Sequence, residues 1–279
     1  MNFKEYELSI GSGYTIADKR IKLQLPLKNS TRIMSYFLSH DTSNVLVVAS
    51  EDEAKSSLQR FIMANIFKWY KPTSIRFKAI TAAFDYEKTY FAGIPVTLAP
   101  HTLNVVSVMN TNSYESILFT LKNLRNDMQV IKELLNGIDN AAEYNNFGVA
   151  KIPHVVVFID RLMEYVYTLN QAEIETVIKL LHDIMEMAGK VNYHIVMFET
   201  ELQEKFTTLS LFDKFPYRIA MKSSPTSSRL LIGTDIACTL PAGSNAFYTQ
   251  HNGEFLCHEV PYVSDELFGD IIRKCSMYC

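Results

Sequence analysis

Long apolar runs, paired cysteines and a charge of one dominant sign are all missing from this 279-residue chain. No apolar stretch approaches the ~20 residues that a membrane-spanning helix needs. The four cysteines, Cys238, Cys257, Cys275 and Cys279, form no C-x-x-C pair, and no second pair or histidine stands near Cys275 and Cys279. Zinc is therefore not expected, and the thiols read as incidental in a reducing compartment. The formal net charge of −3 gives no general attraction to DNA or to acidic membranes. The seven histidines form no catalytic cluster, and no G-x-S-x-G suggests a hydrolase elbow. The opening MNFKEYELSI has no apolar core of a secretory signal, so the expected location is cytoplasmic. No internal repeat, low-complexity stretch or linker interrupts the chain, which reads as one domain over 1–279.

What is present is the composition of a folded protein, 48% hydrophobic and 20% charged. Residues 6–10 and 21–25 alternate apolar and polar side chains as half-buried strands do, with Gly11-Ser12-Gly13 as a turn between them. Further strands are expected at 45–48, 75–80, 104–109, 154–160, 193–198, 217–221, 246–250 and 255–260. Helical periodicity runs over 53–70, over 113 to about 143 with Ser113 as N-cap and Gly137 as a break, and from Asn170 to Ala188 with Gly189 as the stop. Residues 84–91 fit a short helix, 145–148 a loop, and Ser264 caps a terminal helix. Several strands are continuous apolar runs, as expected when helices cover both sheet faces. The expected class is α/β, with strands and a turn over 1–44 and a core with a mainly parallel sheet over 45–279.

The chain is organised around VLVVASEDEAKS, residues 45–56. A buried strand, a loop, Lys55-Ser56 and an amphipathic helix follow the grammar of the phosphate-binding loop G-x-x-x-x-G-K-[ST]. Ala49 and Ala54 stand where the glycines belong, and Glu51, Asp52 and Glu53 lie between them. Alanine resists the positive φ that such a loop uses to turn its N–H groups onto phosphate. The second anchor is the strand HVVVFID, whose closing Asp160 has the position of a Mg²⁺-holding acid. Arg161 follows it where a working ATPase carries a glutamate, and a guanidinium cannot accept the water's proton.

IPHVVVFIDRLMEYV resembles the Walker B segment of the FtsK/SpoIIIE ATPases of the HerA/FtsK superfamily. The helix at 174–187 with Gly189 and YHIVMFET is similar to that family's helix, glycine and sensor strand. FPYRIAMKSSPTSSRLLIG resembles the segment in which Arg218, Ser223, Ser228 and Arg229 take the matching positions. PAGSNAFYTQHNGEFLCHEVPYVSDEL is similar to the closing motif, through Gly243, Phe247, Tyr248 and Val263 to Glu266. The four pieces stand in the family's order from residue 45 to the end.

The resemblance implies a RecA-like three-layer P-loop NTPase fold. It also implies a motor module that works beside other ATPase domains of a larger protein, moving DNA or protein. EssC/EccC-like proteins of type VII secretion, membrane-anchored and multi-domain, are one such setting. The residues it marks for a nucleotide site are Lys55, Ser56 and Asp160, and Arg218 and Arg229 are candidate inter-subunit arginines. Against it stand the missing glycines, Arg161, and Glu199-Thr200 where Gln or Asn is expected. Two readings of Lys55-Ser56 stand side by side: a nucleotide contact using ATP and Mg²⁺, or a helix start whose acids favour the helix dipole. The favoured expectation is the second. It carries no catalytic residue, metal or cofactor, and makes the chain a regulatory or substrate-recognition module for a secreted protein. The alternative is an ATP-binding DNA translocase module. No direct membrane contact is expected of this piece, and DNA is not the favoured partner.

Overall fold

The computed structural model describes residues 5–6, 20–70, 74–81, 102–107, 113–147, 150–208, 211–251 and 253–276. The expected strand at 6–10, apart from Tyr6, the glycine turn and the helix at 84–91 lie outside them. The strands are β1 (Ile21–Pro26), β2 (Ile33–Leu38), β3 (Asn44–Val48), β4 (Ile75–Thr81), β5 (Thr102–Ser107), β6 (His154–Asp160), β7 (Tyr193–Glu199), β8 (Tyr217–Ala220), β9 (Ala246–His251) and β10 (Glu254–Glu259). The helices are α1 (Asp52–Trp69), α2 (Tyr114–Leu135), α3 (Ala141–Phe147), α4 (Leu162–Val166), α5 (Gln171–Ala188), α6 (Glu204–Thr208), α7 (Pro225–Ile232) and α8 (Asp265–Ser276).

The main sheet has the order β10-β9-β8-β3-β7-β6-β4-β5. From β8 to β5 every pairing is parallel, and β9 and β10 extend the sheet antiparallel. Every residue of β3, β6 and β7 is buried. Alternation along the strands divides them between two cores. Val45, Val47, Val156 and Phe158 join α1, β1 and β2 on one face. Leu46, Val48, Val155, Val157 and Ile159 join α2 and α5 on the other. This is a three-layer α/β sandwich with a mainly parallel central sheet, as the sequence predicts.

β1 pairs with β2 in a separate two-stranded sheet, and β2 is an element that the alternation pattern alone does not reveal. That small sheet lies over α1. The helix is consequently buried on both sides rather than on one face: Leu58, Phe61, Ile62 and Ile66 are at most 2% exposed, and Gln59 and Asn65 are buried with them.

The long helix expected from 113 ends at Leu135. Asn136 (φ 47°) and Gly137 (φ 90°) both take the left-handed region, the break expected at Gly137, and α3 then resumes the helix and runs into the expected loop at 145–147. Ser113 caps α2 by accepting from the Ser116 N–H (3.3 Å). Asn170 caps α5 with a reciprocal box to Glu173. Gly189 follows α5, but not as a left-handed stop, since its φ is −59°. A Cβ there would stand 2.0 Å from the His40 carbonyl oxygen, so close backbone approach is what demands glycine. α7 was not expected, although Ser224 as N-cap with Pro225 in the first turn is a legible start signal.

Candidate functional site

β3 runs into residues 49–51 without curling. The Ala49 N–H donates to the Glu199 carbonyl (3.0 Å), and the Ser50 N–H to the Lys222 carbonyl (2.9 Å). These two bonds continue the pairing of β3 with β7 and β8 past the ends of the strands. The Ser50 hydroxyl donates to the same Lys222 carbonyl (2.9 Å). Glu51 accepts from the Gly243 N–H (2.7 Å), which ties the loop before β9 to this corner. α1 then starts at Asp52, without a side-chain cap, and takes Asp52, Glu53 and Ala54 into its first turns.

The helical start fixes where Lys55 points. Its ammonium lies 2.9 Å from Asp160 Oδ1 and 3.2 Å from Asp52 Oδ1 and is 1% exposed. Asp52 and Lys55 are three residues apart, one turn of helix, and so share a face. Asp52 also pairs with the Arg161 guanidinium, whose Nε is 4.0 Å from Asp160 Oδ2. Arg161 has φ 54°, the left-handed region that costs an L-residue about 1–2 kcal/mol. That turn directs its side chain back across the end of β6. Its own N–H donates to the Phe198 carbonyl (2.8 Å). The four groups thus form a closed set of two cations and two carboxylates.

Their titration follows from burial and neighbours. Burial pushes the Asp160 carboxyl above the usual carboxylate range, with the Lys55 ammonium pulling against it. Partial burial also raises the exposed Asp52, but its bonds to Arg161 and Lys55 outweigh that and leave it lowered. Glu199 is fully buried, so desolvation holds its carboxyl well above the usual range. The Met163 N–H donates to one of its oxygens (3.1 Å). Burial, and the nearby Glu199, also raise the Tyr167 phenol.

The sequence-predicted residues therefore separate. Lys55 and Asp160 meet. Ser56 is buried at 7% exposure, next to Lys55 in α1. Arg218 lies on β8, stacked over Phe212 (3.6 Å to the ring centroid) and donating to the Phe212 and Phe215 carbonyls (3.3 Å each). Arg229, on α7, pairs with Asp235 (2.6 Å) and is 61% exposed. Both arginines have partners within the chain. In the sequence Asp52 is one of three acids at a helix start, with no partner assigned. Its i,i+3 spacing to Lys55 was the signal that it is a partner. For a nucleotide, Lys55, Ser56 and Asp160 are the residues that would face phosphate and Mg²⁺. Among the described residues, no group of three or more His, Cys, Asp or Glu could hold a metal ion. An apolar cavity of about 30 Å³ between β1–β2 and the main sheet has room for roughly one water and lies apart from this corner.

No family model matches the sequence, and no curated protein does. Solved structures do. The cytoplasmic domain of the type VII secretion ATPase EccC of Thermomonospora curvata aligns with a TM-score of 0.75 at 16% identity, over 96% of this chain and 32% of that one. The pCW3 conjugation coupling protein TcpA, in its monomer form with ATPγS, aligns with a TM-score of 0.69 at 15% identity, over 91% and 70%. EccC ATPases 2 and 3 of T. curvata, in complex with a signal sequence peptide, align with a TM-score of 0.67 at 15% identity, over 96% and 48%.

The chain shares the fold of these ATPase structures, a three-layer α/β sandwich with a mainly parallel sheet. The likeness runs to ATPase modules of type VII secretion and to a conjugation coupling protein, and this chain spans a third to a half of the EccC structures' length.

Proposed function

We propose that this chain is a nucleotide-free module of a larger multi-ATPase translocase. It serves regulation or recognition of a secreted substrate in type VII protein secretion. The observation that carries the reading is the cage around Lys55. The ammonium that would meet a phosphate is held by Asp52 and Asp160, and the loop's first two N–H groups are spent on sheet carbonyls. A triphosphate placed there would displace two carboxylates from Lys55 and find α1 already begun at Asp52. The residues present do not fit ATP–Mg²⁺, and no step of hydrolysis is derived through it. Arg161 at the position after Asp160 adds to this, because it is a cation where a proton acceptor is required.

The setting rests on the structural likeness to EccC, one of whose structures holds a signal sequence peptide. In this reading the chain is the cytoplasmic part of a membrane-anchored protein. No helix among the described residues is long and apolar enough to cross a membrane. The TcpA likeness favours a second reading, an ATP-binding DNA translocase module, which the net charge of −3 opposes. The test is fluorescence anisotropy with labelled C-terminal tail peptides of type VII secreted proteins, beside a labelled DNA duplex. Saturable peptide binding at micromolar concentration supports recognition. Binding to the duplex alone, with a steep salt dependence, overturns it in favour of the second reading.

A further inference from the structure

We propose that Asp52 is an internal anion that occupies a cation clamp made by Lys55 and Arg161, and that it holds this clamp shut against phosphate. The proposal rests on the reading of the site as one that does not use nucleotide, and it names the group responsible.

Two cations reach the carboxyl ends of β3 and β6 by different routes. Lys55 comes from the second turn of α1, and Arg161 from the left-handed residue after β6. Both converge on Asp52 Oδ1, which lies 3.2 Å from the Lys55 ammonium and pairs with the Arg161 guanidinium. One oxygen shared by an ammonium and a guanidinium is the arrangement an anionic ligand oxygen takes in a phosphate site. Asp160 does not fill that role. It is 3% exposed and grips Lys55 from beneath at 2.9 Å, while its other oxygen lies 4.0 Å from Arg161. Asp52 is 60% exposed and stands on the solvent side of the same ammonium. It is therefore the acid that an incoming anion would meet and have to displace. Glu51 is not available as a substitute, because it is bound to the Gly243 N–H.

Two consequences follow. The clamp is charge-balanced while Asp52 is present, so phosphate gains nothing by entering and is repelled by a carboxylate about 4 Å away. With Asp52 removed, Lys55 and Arg161 keep Asp160 between them, with Glu164 near Arg161 and the buried Glu199 near Lys55, and the solvent side of the clamp is left without its acid. The exposed position of Asp52 makes its replacement compatible with an intact core.

The test is calorimetric titration of sodium tripolyphosphate, at low ionic strength, into the wild-type chain, Asp52→Ala, and Asp52→Ala combined with Arg161→Ala. The urea midpoint of each variant checks that it is folded. The expected result is affinity roughly tenfold or more higher in Asp52→Ala than in the wild type, lost again when Arg161 is also removed. Equal affinity in the wild type and Asp52→Ala overturns the proposal. So does a gain that survives loss of Arg161, which would place the anion on the helix start instead of the clamp. The functional reading fails by a different result, namely ATP turnover by the wild-type chain, so the two failures are distinguishable.

Discussion

Strands β6 and β7 bury polar groups at both ends, and the two ends do it differently. At the amino end, His154 and His194 stack with ring centroids 5.1 Å apart and share one N···N hydrogen bond (2.8 Å). Around them Asn192 donates to the Ile152 carbonyl (3.2 Å), and Asn145 brackets Ile152 with bonds of 2.7 and 2.9 Å. Asn44 reaches the Met185 and Lys214 carbonyls. Burial, reinforced by His154, holds His194 well below the usual imidazole range. At the carboxyl end stand Lys55, Asp160, Asp52 and Arg161. A buried ion pair gives back little net stability, because desolvation consumes most of the Coulomb gain. Neutral amides would have closed this end as they close the other. In parallel α/β sheets ligands bind beyond the carboxyl ends of the strands. The charges stand at the end of the sheet where ligands bind in this class of fold, and the amino end carries amides and a stacked histidine pair instead.

The largest expected effect sharpens that contrast. Asp160→Ala leaves Lys55 buried beside a vacated carboxylate and is expected to cost about 3–5 kcal/mol in urea unfolding. Adding Lys55→Met to it is expected to recover most of the loss. A loss below about 1 kcal/mol would make the pair a surface-like contact and remove the contrast.

At the amino end the corresponding change is Gly189→Ala. The added Cβ meets the backbone of His40, which cannot swing away, and the expected cost is about 2–3 kcal/mol. A neutral result would mean that the segment carrying His40 moves freely against α5.

His194 at the amino end and Glu199 at the carboxyl end tilt stability in opposite directions with pH. His194 is lowered when folded, so the unfolded chain binds the extra proton and stability falls as pH drops below about 6.5. His258, buried beside Tyr36 and Thr249 and pushed down to about 4 by burial, adds to the same acid limb, on the order of 3 kcal/mol. Glu199 is raised when folded, so the folded chain holds the extra proton. Its share of stability is present at acid pH and is lost as pH rises from the ordinary glutamate range through its raised value. Replacing both His154 and His194 by Phe is expected to flatten the acid limb and leave the His258 part. Glu199→Gln is expected to flatten the alkaline decline. Denaturation midpoints from pH 4 to 9 check both, and a variant that alters the opposite limb would break the assignment.

The smallest effect is a control remote from either end. Asn170→Ala removes the α5 cap and is expected to cost about 1 kcal/mol with no change in the pH profile.

Most of the frame was legible because it rests on local pattern. β3, β6 and β7 are continuous apolar runs, and Ser113, Asn170 and Ser264 are side-chain caps that the structure keeps. β2 was missed because its residues alternate only partly, in the pattern half-buried, half-buried, exposed, buried, half-buried, buried. Gly189 does end α5 as its spacing predicts, but the reason for glycine, a close approach from His40, 149 residues earlier, is invisible to local conformational rules. At the site, Lys55 and Asp160 were found by spacing and by family order. Local pairing of Asp160 with Arg161 or a lysine is legible from their adjacency, and the structure has both contacts; the partnership of Asp52 with the two cations is not. That partnership depends on α1 starting at Asp52 and on the left-handed turn at Arg161, and both are tertiary outcomes.

The central claim is that the chain's own acids hold the place a phosphate would take. Its most direct test is calorimetric titration of the wild-type chain with ATP, with and without Mg²⁺. No saturable binding is expected up to about 1 mM. Micromolar binding that depends on Mg²⁺ and is abolished by Lys55→Ala would contradict it.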